Sequence, residues 1–246
     1  HHRLVGSEMC IRDRFKLHLF QNNHPVHIIH QYSIDKSKLT KFVEKISSFN
    51  KSKLKTVEYI SKSRTQFLPY SSIILDEIMS ITNPKKIICS ISGLREGSLS
   101  IDHFKNTKES EIFTKSIEYI ALKRGDLGST YQKYFKFILP VFDGNEHYNK
   151  KLLHLACVLS HMDWGLGAFQ KAELVFQETL NTPLLRLTHK ERIQLALSCY
   201  WRYCSIKYNP KFEYLTFLNN NEIFSSKQVG AALRSVSYTH LTLPTT

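Results

Sequence analysis

The sequence predicts an α+β fold in which an α/β segment is followed by an all-α segment. Three observations lead to this prediction. Two β-prone stretches alternate with amphipathic helices before about residue 105, and β-type patterning is absent after that point. A glycine-bracketed pair of charges at residues 93–97 directly follows the second β-prone stretch. Such a turn lies at the carboxyl edge of a sheet, where open α/β sheets bind ligands.

The two ends of the chain have the character of foreign sequence. Residues 4–14 and 236–246 resemble in-frame translations of sequencing adapters, and a disordered native terminus is the alternative. We therefore expect residues 1–14 and 236–246 to be adapter-derived and leave them out of the fold. The remaining chain divides into an α/β part, residues 15–105, and a helical part, residues 106–235.

Composition and net charge limit the classes of protein to which this chain can belong. The 246 residues carry a formal net charge of +13, and 42% of them are hydrophobic. This apolar content excludes a wholly disordered chain, and no stretch approaches the roughly 18 apolar residues of a membrane span, so we expect no membrane association. A positive field attracts phosphate chains, nucleotides or nucleic acids. The lysines stand in a background rich in Lys, Asn, Ile and Ser, so biased base composition explains the charge equally well.

Cysteine usage favours a reducing compartment. Cys10 falls in the adapter-like segment, and the other cysteines form neither a Cys-x-x-Cys pair nor a zinc-type spacing. We expect them to be free, buried thiols of a cytoplasmic protein. These cysteines are Cys89, Cys157, Cys199 and Cys204.

Helices and strands alternate in the α/β part. Residues 15–20 predict the end of a helix, residues 24–34 a strand, and residues 52–59 a short helix. Asp35 is placed to cap a further helix between the strand and the short helix. The apolar residues of that capped helix recur at helical spacing: Leu39, Phe42, Val43 and Ile46.

A longer helical run opens at residue 61 and has Pro69 near its start. Residues 83–84 predict a turn, and residues 87–92 predict the second strand. The local order of strand, helices and strand suits the closing section of an α/β domain. The predicted apolar face of the helical run consists of Leu68, Ile73, Ile74, Leu75, Ile78 and Met79.

The helical part contains a series of amphipathic helices. Thr188 and Glu191 fit the capping box that opens a helix, and Gly125 is placed to end one. Residues 219–221 are predicted to form a short polar loop. The predicted helices cover residues 110–124, 129–141, 149–161, 169–180 and 188–203.

The charged residues of the glycine-bracketed turn are the strongest candidates for ligand binding. Arg95 and Glu96 would lie at a cleft rim, with Arg95 contacting phosphate or holding a neighbouring loop. The alternatives are a structural ion pair, or a carboxylate that stabilises the start of the helix predicted from residue 98. Arg64 can add positive charge to the same edge, although a solvated surface position is the favoured interpretation. We expect Arg95, Glu96 and Arg64 to be the substrate-binding residues.

Two histidine groups suggest metal binding at first sight. The first is His18, His24, His27 and His30, which no cysteine or closely spaced carboxylate completes, so a structural role is favoured. The second is His154 and His161, seven residues apart on one predicted helix face. Met162 separates His161 from Asp163, so the adjacent His-Asp pair of an HD-type hydrolase is broken. The sequence therefore predicts no metal site and no catalytic residue.

Residues 93–97, Gly-Leu-Arg-Glu-Gly, resemble the signature of the exopolyphosphatase/guanosine pentaphosphate phosphohydrolase (Ppx/GppA) family. Segments at residues 25–30, 63–75 and 159–189 resemble the same family in the same order. The resemblance implies that the α/β part closes an actin-like (ribonuclease H-like) domain. It also implies that an HD-like helical domain of the non-catalytic type follows.

The family cleaves terminal phosphoanhydrides, so the resemblance implies a parent enzyme that acts on inorganic polyphosphate or guanosine pentaphosphate. Mg²⁺, glycine-rich phosphate loops and a catalytic glutamate assist that chemistry in the family, and the loops and glutamate belong to strands upstream of the segments found here. We therefore expect an inactive C-terminal fragment with Mg²⁺ needed only by the full enzyme. A homodimer is also expected, and nucleic acid is not expected as a partner. The alternatives are a non-catalytic basic module that binds polyanions or nucleic acids, and a helical interaction domain without a ligand.

Overall fold

The computed structural model describes residues 2–125, 130–161, 165, 167–184, 186–208 and 212–242. The chain divides into two compact units. Unit 1 comprises His1–Ser100 with Pro183–Arg186, and unit 2 comprises Ile101–Thr182 with Leu187–Thr246. Among the described helices, none has the combination of length and apolar character that crossing a membrane requires.

Unit 1 consists mostly of helices with a single pair of short strands among the residues described. The elements in chain order are α1 (His2–Gln21), β1 (Ser33–Asp35), α2 (Lys36–Ser47), α3 (Lys51–Lys55), α4 (Lys62–Thr65), α5 (Leu68–Thr82), β2 (Lys86–Ile88) and α6 (Leu94–Phe104). The last of these crosses the division between the units.

Helix α5 is the centre of unit 1, because both α1 and α2 pack against it. The predicted apolar face of α2 is buried as expected. The predicted face of α5 is partly wrong: Ile73, Ile74 and Ile78 are 60%, 50% and 45% exposed. Two serines take their place in the core because their hydroxyls have partners there: Ser71 donates to the Phe67 carbonyl at 2.8 Å, and Ser72 accepts from Arg14 Nη1 at 3.5 Å. The buried face of α5 consists of Leu68, Ser71, Ser72, Leu75 and Met79.

The two strands pair antiparallel over three residues, with Ile34 opposite Ile87 at the centre. Both are much shorter than the predicted strands at residues 24–34 and 87–92. The first prediction fails because the chain turns before β1: the Tyr32 N–H donates to the Ile29 carbonyl, and Gln31 has a φ of 66°. Asp35 does precede α2, but its side chain makes no capping hydrogen bond. The α/β pattern is therefore present in a reduced form.

Unit 2 is helical throughout the residues described, and the five predicted helices are confirmed with small shifts at their ends. Residue 129, where the second of them was expected to begin, lies outside the described ranges. The capping box of Thr188 and Glu191 is confirmed, and Gly125 follows a helix with a φ of +79°. The helices are α7 (Glu109–Lys123), α8 (Thr130–Phe142), α9 (Lys150–Leu159), α10 (Ala168–Asn181), α11 (His189–Tyr203), α12 (Phe212–Leu215) and α13 (Asn220–Thr242).

Helix α13 corrects the prediction of a polar loop at residues 219–221. The Asn219 side chain accepts from the Glu222 N–H at 2.9 Å, and the Glu222 carboxylate accepts from the Asn219 N–H at 2.9 Å. These reciprocal bonds satisfy backbone donors that a helix start otherwise leaves open. The polar residues therefore begin a helix instead of separating two.

Helix α11 forms the centre of unit 2, with α9, α10 and α13 packed around it. Most of its side chains are buried, including the whole of Trp201. Helix α13 approaches so closely that a Cβ on Gly230 would lie 2.6 Å from the Trp201 Cβ and 2.8 Å from the Ser198 carbonyl oxygen. Glycine is therefore required at this crossing.

Arginines close the C-terminal ends of the helices in unit 2. The Arg124 guanidinium donates to the Leu159 carbonyl at 2.9 Å, where α9 ends, and Arg234 donates to the Cys204 carbonyl at 2.8 Å, where α11 ends. Arg192, fully buried on α11, donates to carbonyls in the last turn of α10 and just beyond it. Each cation meets the negative end of a helix dipole as well as open carbonyls.

We expect Gly230→Ala to lower the free energy of unfolding of unit 2 by about 1–3 kcal/mol, because the added methyl group overpacks the crossing of α11 and α13. Tryptophan fluorescence during urea unfolding measures this, since both tryptophans belong to unit 2, and far-ultraviolet circular dichroism during the same unfolding also follows unit 1. Gly97→Ala is the matched control: its Cβ meets nothing within 4 Å, and its helical position predicts a gain of about 0.4–1 kcal/mol. Unchanged stability of Gly230→Ala would contradict the close approach.

Candidate functional site

The glycine-bracketed motif at residues 93–97 forms the start of α6 and not a turn in front of it. The helix begins at Leu94, and the Gly97 N–H donates to the Gly93 carbonyl at 3.0 Å. Gly97 has no left-handed φ, and its surroundings are open. The predicted turn is therefore wrong. Glycine permits a turn but does not require one, and here the chain continues as a helix through Gly97.

Glu96 stabilises the first turn of α6. Its Oε2 accepts from the Gly93 N–H at 2.7 Å. Hydrogen bonds from the backbone at Glu96 and Gly93 lower the pKa of this carboxyl, and the charges of Arg95 and Arg12 lower it further. The carboxylate thus occupies the positive end of the helix, which is the structural alternative that the sequence leaves open.

Arg95 lies on the same turn and is exposed. Its neighbour Glu96 is held by the backbone, so the two charges have different environments although they are adjacent in sequence. A guanidinium at an exposed helix start presents several N–H donors in a fork that matches phosphate oxygens. Arg95 is therefore the member of the motif whose position suits contact with an anion.

The segment that leads into α6 is anchored at Ile91. Its carbonyl accepts from Arg12 Nη1 at 3.3 Å, and its N–H donates to His30 Nδ1 at 3.3 Å. The backbone of Ile91 is thus held through its carbonyl by α1 and through its N–H by the loop before β1. These contacts of Ile91 were not predicted from the sequence. Arg12 falls in the segment predicted to be adapter-derived, and no local pattern links Arg12 to a residue 79 positions away.

Arg64 is engaged with α1. Its Nε lies 3.4 Å from Asp13 Oδ2 and donates to the Ser61 hydroxyl at 2.9 Å. Desolvation by burial raises the pKa of Asp13, and the positive charge of Arg64 opposes that rise. Asp13 adjoins Arg12, so α1 connects Arg64 to the anchor of α6. The expected role of Arg64 in substrate binding stays a prediction.

His18 and His24, of the first histidine group, pack with aromatic rings. His18 Nδ1 hydrogen bonds with the Tyr32 hydroxyl at 2.9 Å, and the His18 ring meets Phe42 edge-on. His24 lies against Tyr32 with ring centroids 5.0 Å apart. Burial lowers the pKa of both histidines, to about 4 for His24. Their environment is that of a core cluster that favours the neutral rings.

His154 in unit 2 is also held by aromatic rings. It stacks on Phe135 at 4.3 Å and on Tyr131 at 5.6 Å between centroids, and burial lowers its pKa. His161 contributes its carbonyl to Arg124 at 3.3 Å. Met162 and Asp163, which bear on the broken His-Asp pair, lie outside the described residues.

A comparison with known protein families finds a match to the segment that contains α6 and the residues that hold Ile91. Residues 9–104 match the family described as the Ppx/GppA phosphatase family. The matched segment ends with the last residue of α6, and it begins within residues 1–14. No curated protein matches the chain.

We expect the Gly93 amide resonance to titrate with Glu96. Because the pKa of Glu96 is lower in the folded chain, the bond is complete above the ordinary pKa of a glutamate, about 4.3, and is lost as the pH falls through the lower folded value. Two-dimensional NMR from pH 7 to pH 3 follows the amide shift. The Glu96→Gln variant removes this titration, and Glu111→Gln on α7 leaves it in place. A Gly93 amide shift that does not change with pH in the parent chain would contradict the hydrogen bond between Gly93 and Glu96.

Proposed function

We propose that this chain, which belongs to the Ppx/GppA phosphatase family through residues 9–104, is the C-terminal portion of a phosphoanhydride hydrolase. The parent enzyme releases terminal phosphate from inorganic polyphosphate or guanosine pentaphosphate. The observation that carries the proposal is the match of a phosphatase family to the segment that ends with α6, the helix whose first turn exposes Arg95.

In this proposal the residues around α6 divide into contact and positioning roles. Arg95 contacts a phosphate group of the substrate, since its exposed guanidinium supplies paired N–H donors. Glu96, Arg12 and His30 are positioning residues: Glu96 fixes the first turn, and the other two hold the backbone carbonyl and N–H of Ile91, which precedes it. Arg64, whose Nε is engaged with Asp13 and Ser61, is the second residue that we propose to contact the substrate.

The hydrolytic step itself is not assigned to residues of this chain. The family implies Mg²⁺, but no three His, Cys, Asp or Glu side chains in the described part of the chain lie close enough to hold a metal ion. The described residues therefore do not fit a Mg²⁺ site. The proposal therefore places water activation and metal binding in other parts of the parent enzyme, and this chain alone is inactive.

The proposal also covers the domain organisation of the chain, its cellular compartment and the oligomeric state of the parent enzyme. We assign residues 15–105 to the closing part of an actin-like domain and residues 106–235 to an HD-like helical domain. The free, buried Cys89, Cys157, Cys199 and Cys204 support a reducing, cytoplasmic location. A homodimer of the parent enzyme is part of the same proposal.

The test uses the complete reading frame that contains residues 15–235. We expect it to release phosphate from polyphosphate or guanosine pentaphosphate, and we expect Arg95→Ala to lower kcat/KM about 10- to 100-fold, because one charge-assisted contact is lost. Lys115→Ala, an exposed charge on α7, is the matched control and leaves kcat/KM unchanged. Phosphate release by the present chain alone would contradict its inactivity, and a complete frame that cleaves neither substrate would refute the proposed function.

A further inference from the structure

Unit 2 contains a cavity of about 400 Å³ that is lined by the connection between α8 and α9 and by the N-terminal part of α13. We call it the amide pocket, because three of its lining side chains are amides. All of its lining residues belong to unit 2 and lie outside residues 9–104, the segment that matches the phosphatase family. The connection contributes Asn145, Glu146 and His147.

Helix α13 contributes one of its faces to the pocket. The lining residues of this helix follow one another at spacings of three and four residues, so they lie on the same side of it. They are Asn221, Phe224, Ser225 and Gln228. The Phe224 side chain is 61% exposed, whereas Ser225 is 3% exposed. This face therefore combines an open aromatic surface with polar groups beside it.

Helix α11 holds both parts of the pocket in place. The Gln194 side-chain amide donates to the His147 carbonyl in the α8–α9 connection. Lys190 Nζ lies 2.8 Å from Glu222 Oε1 in the first turn of α13. Lys190 and Gln194 are four residues apart, so both contacts come from one face of α11. A site whose parts are already fixed loses less conformational entropy when a ligand binds.

The polar side chains of the pocket have hydrogen-bonding capacity that the fold does not use. Within the described part of the chain, the side chains of Asn221, Ser225 and Gln228 form no hydrogen bond. Asn145 Oδ1 accepts from the His147 N–H at 2.9 Å, which leaves the amide nitrogen of Asn145 open. A buried hydroxyl is unfavourable without a partner, so Ser225 favours a ligand that supplies one.

The charge of the lining differs from that of the whole chain. Among the described residues, the pocket is lined by no lysine or arginine, although the sequence contains 34 of them. Glu146 is exposed and forms no ion pair in the described part of the chain. A phosphorylated ligand would meet this carboxylate without a lysine or arginine to balance it. The lining therefore suits an uncharged ligand.

We propose that the amide pocket binds an uncharged sugar. Each sugar hydroxyl both donates and accepts hydrogen bonds, and the amides of Asn145, Asn221 and Gln228 supply both kinds of group. The C–H face of a sugar ring is apolar and packs against an exposed aromatic side chain such as Phe224. The inference goes beyond the proposed hydrolysis, because the substrates of that reaction are anionic.

Two other classes of ligand use only part of this lining. A methylated ammonium group can lie over the Phe224 ring, but it has no group that bonds to the amides or to Ser225. A nucleobase can stack on Phe224, but its polar groups lie at the edges of one plane. The polar groups of the pocket come from two separate elements, which suits hydroxyls that project around a ring.

Saturation-transfer NMR of the present chain tests the proposal with D-glucose, D-galactose and D-mannose as probes. We expect transfer to at least one of them at about 10 mM, a concentration roughly tenfold above a Kd of about 1 mM. We expect Phe224→Ala and Gln228→Ala each to raise that Kd about tenfold, because each removes one contact with the sugar. Phe169→Ala and Gln170→Ala, at exposed positions on α10, are the matched controls and keep the parent Kd.

Two further variants separate stacking from apolar burial. Phe224→Tyr keeps the aromatic surface and the parent Kd, whereas Phe224→Leu weakens binding as Phe224→Ala does. Absence of transfer to all three sugars overturns the proposal, and so do controls that weaken binding as much as the pocket variants. Choline or guanosine that binds more tightly than the sugars and depends on Phe224 overturns it in favour of a cation or a nucleobase. Phosphate release by the complete frame is a separate measurement, so failure of the sugar site leaves the proposed hydrolysis standing.

Discussion

The packing of unit 2 depends on arginines that satisfy the carbonyl groups at helix ends. Burial lowers the pKa of Arg192 to about 10, so the guanidinium keeps its charge at neutral pH while it donates to carbonyls at the end of α10. Arg124 and Arg234 serve α9 and α11 in the same way. Without these donors the buried ends of three helices would carry unpaired carbonyls, at a cost of about 1–3 kcal/mol each. The cations therefore fix where each helix stops as well as how it packs.

Local patterns predicted unit 2 better than unit 1. Helix periodicity and the Thr188–Glu191 box are local signals, and the structure follows them. Asn219 and Glu222 form a similar pair of capping bonds at the start of α13. The sequence analysis predicted a loop there because the residues at 219–221 are all polar. In α5 the face predicted from apolar residues is partly wrong, because serine hydroxyls can be buried when they have hydrogen-bond partners, as Ser71 and Ser72 do. Burial of a small polar residue is a tertiary outcome that hydropathy does not encode.

The motif at residues 93–97 can be recognised from the sequence, but its geometry cannot be predicted from it. The motif at residues 93–97 identified Arg95 and Glu96, and the family match includes them. The helical start, however, depends on contacts from distant residues, since Arg12 and His30 hold Ile91 from 79 and 61 positions away. Arg12, one of these partners, lies within residues 1–14, the segment predicted to be adapter-derived. Long-range anchors of this kind follow from packing, which a single sequence does not display.

The helical glycine at position 97 has a consequence for the motion of α6. Glycine in a helix is less favourable than alanine by roughly 0.5–1 kcal/mol, and no neighbouring atom approaches within 4 Å of where a side chain would be. The first turn of α6 therefore opens more readily than the core of unit 1. Among the described contacts, the hydrogen bond of the Glu96 side chain is the one that stabilises this turn. An anion that engages Arg95 only in the closed turn would shift this opening equilibrium, so that occupancy and local order rise together.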